Sequence, residues 1–302
     1  MRGKRRLVLF IVLLISLSFY YIINQPNKDH HVEQTIQEED ELVEEVIENQ
    51  EESDENDADD EVEKEKLTTK LTDLVKNTFE YLFTKEFHVV AIGDSLTQGV
   101  GDSTKKGGYI GILDETINQH KQIVSFDNFG KSGRRTDQLL EFLDNPEVVT
   151  AIEGTDVILM TIGANDIMKV VQQNFTDLTY SLFVEEQVHF EQRLNDIFTK
   201  LRAINPDARI YLLGLFNPFK QYFQDIKELD LIVDQWNQTS ERTVANYSPA
   251  TFIPIKDLFD ETVINLFAED HFHPNELGYE RMARRVLEYL ADGEGSINEQ
   301  AN

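Results

Sequence analysis

The sequence predicts an α/β domain: a parallel sheet with helices on both faces. Three observations lead there. Short apolar bursts alternate with helix-length segments from His88 to about Asp292, the pattern of strands covered on both sides. The first and third bursts end in glycine, at Gly93 and Gly163, and polar residues follow at once. About 225 residues suit one domain, and no repeat is visible at the periods of solenoids.

The elements follow in order. His88-Val89-Val90-Ala91-Ile92 reads as a buried strand, and Tyr109–His120 as a helix. Gln122–Phe126 is the second strand, followed by one helix over Thr136–Ile152. Asp156–Ile162 is the third strand, Val184–Ile204 the next helix, Arg209–Leu215 the fourth strand and Ile226–Tyr247 another helix. Thr251–Ile255 is the fifth strand, with Pro254 removing a ladder donor. The last helix opens at Pro274 or Asn275 and is expected to stop at Gly293. In such sheets a ligand sits beyond the carboxyl ends of the strands.

The flanks differ in kind. Arg2, Lys4, Arg5 and Arg6 precede an uncharged apolar run of 17 residues, Leu7–Ile23, with Tyr20 and Tyr21 near its far end. Its length is at the short end for a membrane-spanning helix, and the basic flank favours a cytoplasmic N-terminus. Residues 1–28 are therefore expected to be a membrane anchor, with a cleaved signal segment as the alternative. Between Asp29 and Lys66 there are 19 acidic residues, two lysines and no aromatic residue. Such a stretch buries too little apolar surface to offset its ordering entropy, so residues 29–66 read as an extended, disordered stalk. Residues 67–302 hold the folded domain. His30 and His31 have nothing nearby to complete a metal site.

Composition narrows the function. Of 302 residues, 28 are Lys or Arg and 56 Asp or Glu, a formal net charge of −28. That balance argues against nucleic-acid binding by phosphate neutralisation. The absence of cysteine excludes disulfides, thiolate metal sites, a Cys nucleophile and lipoprotein processing after the apolar run.

Four polar pieces fall at strand ends or before the last helix. Gly93-Asp94-Ser95-Leu96-Thr97 places a hydroxyl at a strand-to-helix turn, although Asp94 and Ser95 are also ordinary capping residues. Asp270-His271-Phe272-His273-Pro274 offers Ser95 an imidazole base. A carboxylate three residues before His273 can reach its ring and fix the tautomer; His271 is the competing base, for which adjacent Asp270 has poorer orienting geometry. Both residues equally suit helix capping before Pro274. Asn128-Phe129-Gly130-Lys131-Ser132-Gly133 is a glycine-containing loop where backbone N–H groups can approach a substrate. Gly163-Ala164-Asn165-Asp166 provides an amide donor or an N-cap.

Together these four blocks resemble the SGNH (GDSL-type) hydrolase family over roughly residues 88–290, and most of all its lysophospholipase-L1-like bacterial lipase/acylhydrolases. The resemblance implies a flavodoxin-like three-layer α/β/α sandwich with a five-stranded parallel sheet. It implies a serine esterase with Ser95 as nucleophile, His273 as base and Asp270 as its orienting partner. The N–H groups of Ser95 and Gly133 and the Asn165 side chain would form the oxyanion hole. No metal and no organic cofactor is implied. The Gly-x-Ser-x-Gly elbow of α/β-hydrolases is absent around Ser95.

The expected substrate is a small-molecule or lipid ester, a lysophospholipid or lipid-like ester at the cell envelope. The alternatives are an O-acetyl group on an envelope polysaccharide, or a non-catalytic surface module. A monomer outside the cytoplasm is expected, held by a single span or secreted after signal cleavage. Phe216, Phe219, Tyr222 and Phe223 line an acyl pocket or are ordinary core and loop aromatics. Arg134 and Arg135 attract an anionic substrate group or are solvated charge. His88, His120 and His189 are read as structural and Trp236 as core.

Overall fold

The computed structural model describes residues 87–119, 121–174, 176–220, 227–260 and 264–300. The apolar run Leu7–Ile23 and the acidic stretch lie outside them. Among the described residues no helix is long and apolar enough to cross a membrane.

The strands are β1 (Phe87–Gly93), β2 (Val124–Gly130), β3 (Val157–Thr161), β4 (Arg209–Leu213) and β5 (Ala250–Ile253), all parallel, in the order β2-β1-β3-β4-β5. The flavodoxin-like architecture expected from the sequence is what the chain adopts. Alternation in β1 sorts the layers: Val89 and Ala91 face one core, Val90 and Ile92 the other. The first core is closed by α2 (Gly108–Ile117) and α8 (Glu276–Gln300), which supply Leu113, Tyr279 and Val286. On the opposite face lie α3 (Thr136–Phe142), α4 (Pro146–Glu153), α5 (Ala164–Gln173), α6 (Tyr180–Ile204) and α7 (Lys227–Val244). There Trp236 is fully buried and stacks on Phe190 at 5.6 Å.

Several boundaries depart from expectation. The single helix over Thr136–Ile152 is two, because Pro146 takes the first position of α4 and the Asn145 side chain caps it by accepting from Glu147 N–H at 2.9 Å. Strand β2 starts later and runs to Gly130, through polar Asp127 and Asn128. As an edge strand it leaves these side chains solvent. The segment Ala164–Gln173, left unassigned in the sequence, is helix α5. Helix α8 continues past Gly293 and Gly295, since each glycine costs a helix only about 1 kcal/mol.

The chain runs from β1 to β2 on one side, then crosses to β3 on the other. The switch point therefore lies between the carboxyl ends of β1 and β3, where an open α/β sheet makes its crevice.

Candidate active site

The end of β1 is pressed against β3. A Cβ at Gly93, whose φ is +145°, would stand 2.1 Å from the Thr161 carbonyl oxygen, so only glycine permits the approach. The Asp94 N–H then donates to Thr161 O at 3.1 Å, and Thr161 Oγ1 donates to Asp94 Oδ1 at 2.7 Å. Asp94 Oδ1 also accepts from Leu96 N–H at 3.1 Å, capping the single turn α1 (Ser95–Gln98). This turn holds Ser95 at 6 % exposure.

The loop before α8 brings the imidazole. His273 Nε2 lies 2.9 Å from Ser95 Oγ, and His273 Nδ1 lies 2.5 Å from Asp270 Oδ2. Asp270 Oδ1 accepts the backbone N–H groups of Phe272 and His273, each at 2.9 Å, so the three-residue spacing closes a turn that fixes carboxylate and ring together. Burial pushes the Asp270 carboxyl up. The hydrogen bonds from the His273 ring and backbone outweigh this and hold it below the usual carboxylate value. His271 instead takes a left-handed conformation (φ +54°) on the exposed side of the loop.

Asp94 behaves oppositely. Burial raises its pKa to about 6, against the pull of the Thr161 and Leu96 hydrogen bonds and of His273, while Asp166 adds to the rise.

Two further segments carry hydrogen-bond donors. Asn165 is buried, and its Nδ2 donates one hydrogen to Arg134 O at 3.0 Å, leaving the second for a ligand. Gly133 has φ +77° on the loop after β2, and no hydrogen bond among the described residues uses its N–H or that of Ser95. The loop is tied down by Lys131 N–H to Gly93 O at 3.1 Å and Ser132 N–H to Gln98 Oε1 at 2.6 Å. At its end Asp166 accepts from Thr136 Oγ1 at 2.6 Å and pairs with Arg193 at 3.0 Å.

Ser95 opens into a cavity of about 310 Å³. Ile167, Met168 and Val171 of α5, Phe183 of α6, and Ile232 and Val233 of α7 line it, and Asn165 and Asp94 stand beside Ser95 at its polar end. Phe216 and Phe219 reach it too, Phe219 against Phe272 at 5.8 Å and Phe216 stacked on Phe259 at 4.0 Å. Tyr222 and Phe223 lie outside the described residues. Among the described residues no group of three or more His, Asp or Glu side chains gathers as a metal site.

The arginines part from expectation. Arg134 is not a solvated anchor for a substrate anion: it is 6 % exposed and donates to backbone carbonyls. Arg135 pairs with Asp137 at 3.0 Å. His88, read as structural, lies 3.0 Å from Asp127, and His120 falls outside the described residues. The sequence reading missed Thr161 and most of the cavity wall. The Ile167-Met168-Val171 spacing in α5 marks a buried helix face but does not tell a cavity wall from core.

Comparisons with known proteins bear on the family and the fold. The family model of the GDSL-like Lipase/Acylhydrolase family matches residues 91–281. The chain is 37 % identical over 212 residues to the uncharacterized protein YpmR of Bacillus subtilis, covering 68 % of this chain and 83 % of the relative. It is 27 % identical over 207 residues to the spore germination lipase LipC of Bacillus licheniformis, covering 65 % and 92 %. The crystal structure of the lipase Lip_vut3 from a goat rumen metagenome shares the fold, with TM-score 0.59, 24 % identity and coverage of 66 % of this chain and 95 % of that one.

Proposed function

Because the chain belongs to the GDSL-like lipase/acylhydrolase family of serine ester hydrolases, we propose that Ser95 attacks the carbonyl of a lipid-like ester whose acyl chain enters the cavity beside it. The observation that carries this reading is the cavity itself: about 310 Å³, walled by aliphatic and aromatic side chains and opening at Ser95. An acetyl group has no use for that space. Each methylene placed there contributes about 0.8 kcal/mol, and the volume is within the range of small-molecule pockets.

The steps follow from the hydrogen bonds. With Nδ1–H donated to Asp270, His273 presents the Nε2 lone pair to the Ser95 hydroxyl. Nε2 takes the proton as Oγ bonds to the ester carbon, and the ionised Asp270 stabilises the imidazolium. The carbonyl oxygen, now anionic, is received by the free N–H groups of Ser95 and Gly133 and the second Nδ2 hydrogen of Asn165. The tetrahedral centre collapses, the C–O bond to the alcohol breaks, and His273 gives the alcohol its proton. Water, deprotonated by the same ring, then releases the acid and restores Ser95.

The N-terminal residues support a site of action at the cell envelope, outside the cytoplasm. Arg2, Lys4, Arg5 and Arg6 before Leu7–Ile23 suit an anchor with the cytoplasm on its N-terminal side, and the acidic stretch after it suits a spacer. Protease added to intact cells tests this: digestion of residues 67–302 is expected, and full protection overturns the topology.

The substrate test is a p-nitrophenyl ester panel with Ser95→Ala as control. Octanoate is expected to exceed acetate in kcat/KM, and a fluorophosphonate probe to label the wild type but not Ser95→Ala. A preference for acetate overturns the lipid reading in favour of an O-acetyl esterase. Equal labelling of both proteins overturns the nucleophile.

A further inference from the structure

Arg134 is a buried cation that, among the described residues, makes no direct contact with a carboxylate. Its Nη1 donates to two backbone carbonyls, Gly93 O at 3.1 Å and Phe129 O at 2.6 Å, and its guanidinium carbon lies 3.9 Å from the centre of the Phe142 ring. Gly93 is the last residue of β1, one step before Asp94 and two before Ser95. Phe129 is the penultimate residue of β2, at the root of the loop that carries Gly133. The backbone carbonyl of Arg134 itself accepts the Asn165 amide at 3.0 Å. One residue thus touches all three segments that supply the donors around Ser95.

The arrangement is costly to build. Removing a guanidinium from water is unfavourable, and burial pulls the Arg134 pKa below its ordinary value while Asp94 opposes the shift at a distance. A hydrophobic side chain packed on Phe142 would fill the space without that penalty. What it could not do is hold the ends of β1 and β2 together, because both carbonyls need a donor and the two hydrogens of Nη1 supply one to each. Phe142 supplies the face on which the guanidinium lies, a cation–π contact that also fixes its plane.

We propose that Arg134 is a positioning residue of the oxyanion hole: its guanidinium locks the Gly133 loop to the Ser95 turn, while its carbonyl aims the Asn165 amide. The donors must meet an oxyanion to within a few tenths of an ångström, whereas ground-state binding in the cavity depends on apolar walls elsewhere. Loss of the clamp therefore falls on kcat and leaves KM largely intact. The inference rests on the reading of Ser95 as nucleophile.

The experiment uses the full chain with Arg134→Met, Arg134→Lys and the neighbouring Arg135→Met. With p-nitrophenyl octanoate, Arg134→Met is expected to lose about 10²-fold in kcat, the scale of an ångström-sized misplacement. Arg134→Lys loses less, since an ammonium keeps donors for the carbonyls but lacks the planar group that lies on Phe142, and Arg135→Met stays within about twofold of wild type. Two inhibitors separate positioning from general damage. 1-Octaneboronic acid forms a tetrahedral anion on Ser95 Oγ and should weaken by the same factor as kcat, whereas 1-octanol, which needs only the cavity, should bind as before. Should Arg134→Met fail to fold, Arg134→Lys decides alone.

Wild-type kcat and boronate affinity in a folded Arg134 variant overturn the proposal. So does equal weakening of octanol and boronate, or failure of both variants to fold, which makes Arg134 a folding residue first. An inactive wild type, or an active Ser95→Ala, instead overturns the esterase reading itself, so the two failures are distinguishable.

Discussion

The two sides of Ser95 are built on opposite rules. Toward α8, the β2 loop and the first turn of α5 the side chains are polar, and each partner is specified: Asp270 to His273, His273 to Ser95, Asn165 to Arg134 O. Toward the body of α5, α6 and α7 the wall is mostly aliphatic and aromatic, and its shape is set mainly by packing. The first side tolerates almost no change of residue type, because a hydrogen bond needs a given donor at a given place. The second tolerates many, provided volume is conserved. The chemistry of the bond broken is set by one side and the length of the chain accepted by the other.

The sharpest way to break this comparison is on the polar side. His273→Ala is expected to lower kcat/KM on the order of 10⁴-fold or more, and Asp270→Asn by about 10⁴-fold through loss of the tautomer that presents Nε2 to Ser95. His271→Asn, a residue type that accepts the left-handed backbone at that position, should retain nearly all activity. If the asparagine at 271 rather than the alanine at 273 abolishes turnover, the imidazole has been assigned to the wrong histidine.

A smaller effect is expected on the apolar side. Val171→Trp directs added volume into the cavity from α5. Excluding about three methylenes removes roughly 2.4 kcal/mol, near 50-fold. The loss should appear in kcat/KM for octanoate and not for acetate. Equal losses for both esters would mean that the acyl chain lies elsewhere, and the division between the two sides would fail.

What was legible in the sequence follows the same division. Ser95, Asn165, Asp270 and His273 stood out because each lies at a strand end or a loop with a residue type that packing alone does not require. Five strands and their parallel sense were legible from the apolar bursts, since strands buried on both faces carry continuous hydrophobic runs; the polar half of edge strand β2 was not. The cavity was not: Ile167, Met168, Ile232 and Val233 have the spacing of core-facing helix positions, and nothing local distinguishes a wall from a core. Arg134 was misread for a related reason. An arginine beside glycines suggests exposure, and only the fold reveals two carbonyls waiting at the ends of β1 and β2.

The smallest effect concerns Asp94, which stands where the two sides meet. Its folded pKa, about 6, lies above the ordinary 3.8 because burial penalises the anion. A carboxyl raised in this way favours the native state most below pH 3.8. That advantage is lost as pH rises toward and through 6, because the unfolded chain gives up the proton first. The loss is at most about 3 kcal/mol and complete by neutral pH. Asp94→Asn keeps an oxygen for Leu96 N–H and Thr161 Oγ1 but has no proton to lose. Its melting temperature, relative to wild type, should therefore climb by several degrees between pH 4 and pH 7.5. The other titrating groups are common to both proteins, so the difference isolates this one carboxyl. A flat difference across that range would show that the turn carrying Ser95 holds its anion without cost, and that the polar side extends further under the cavity than burial implies.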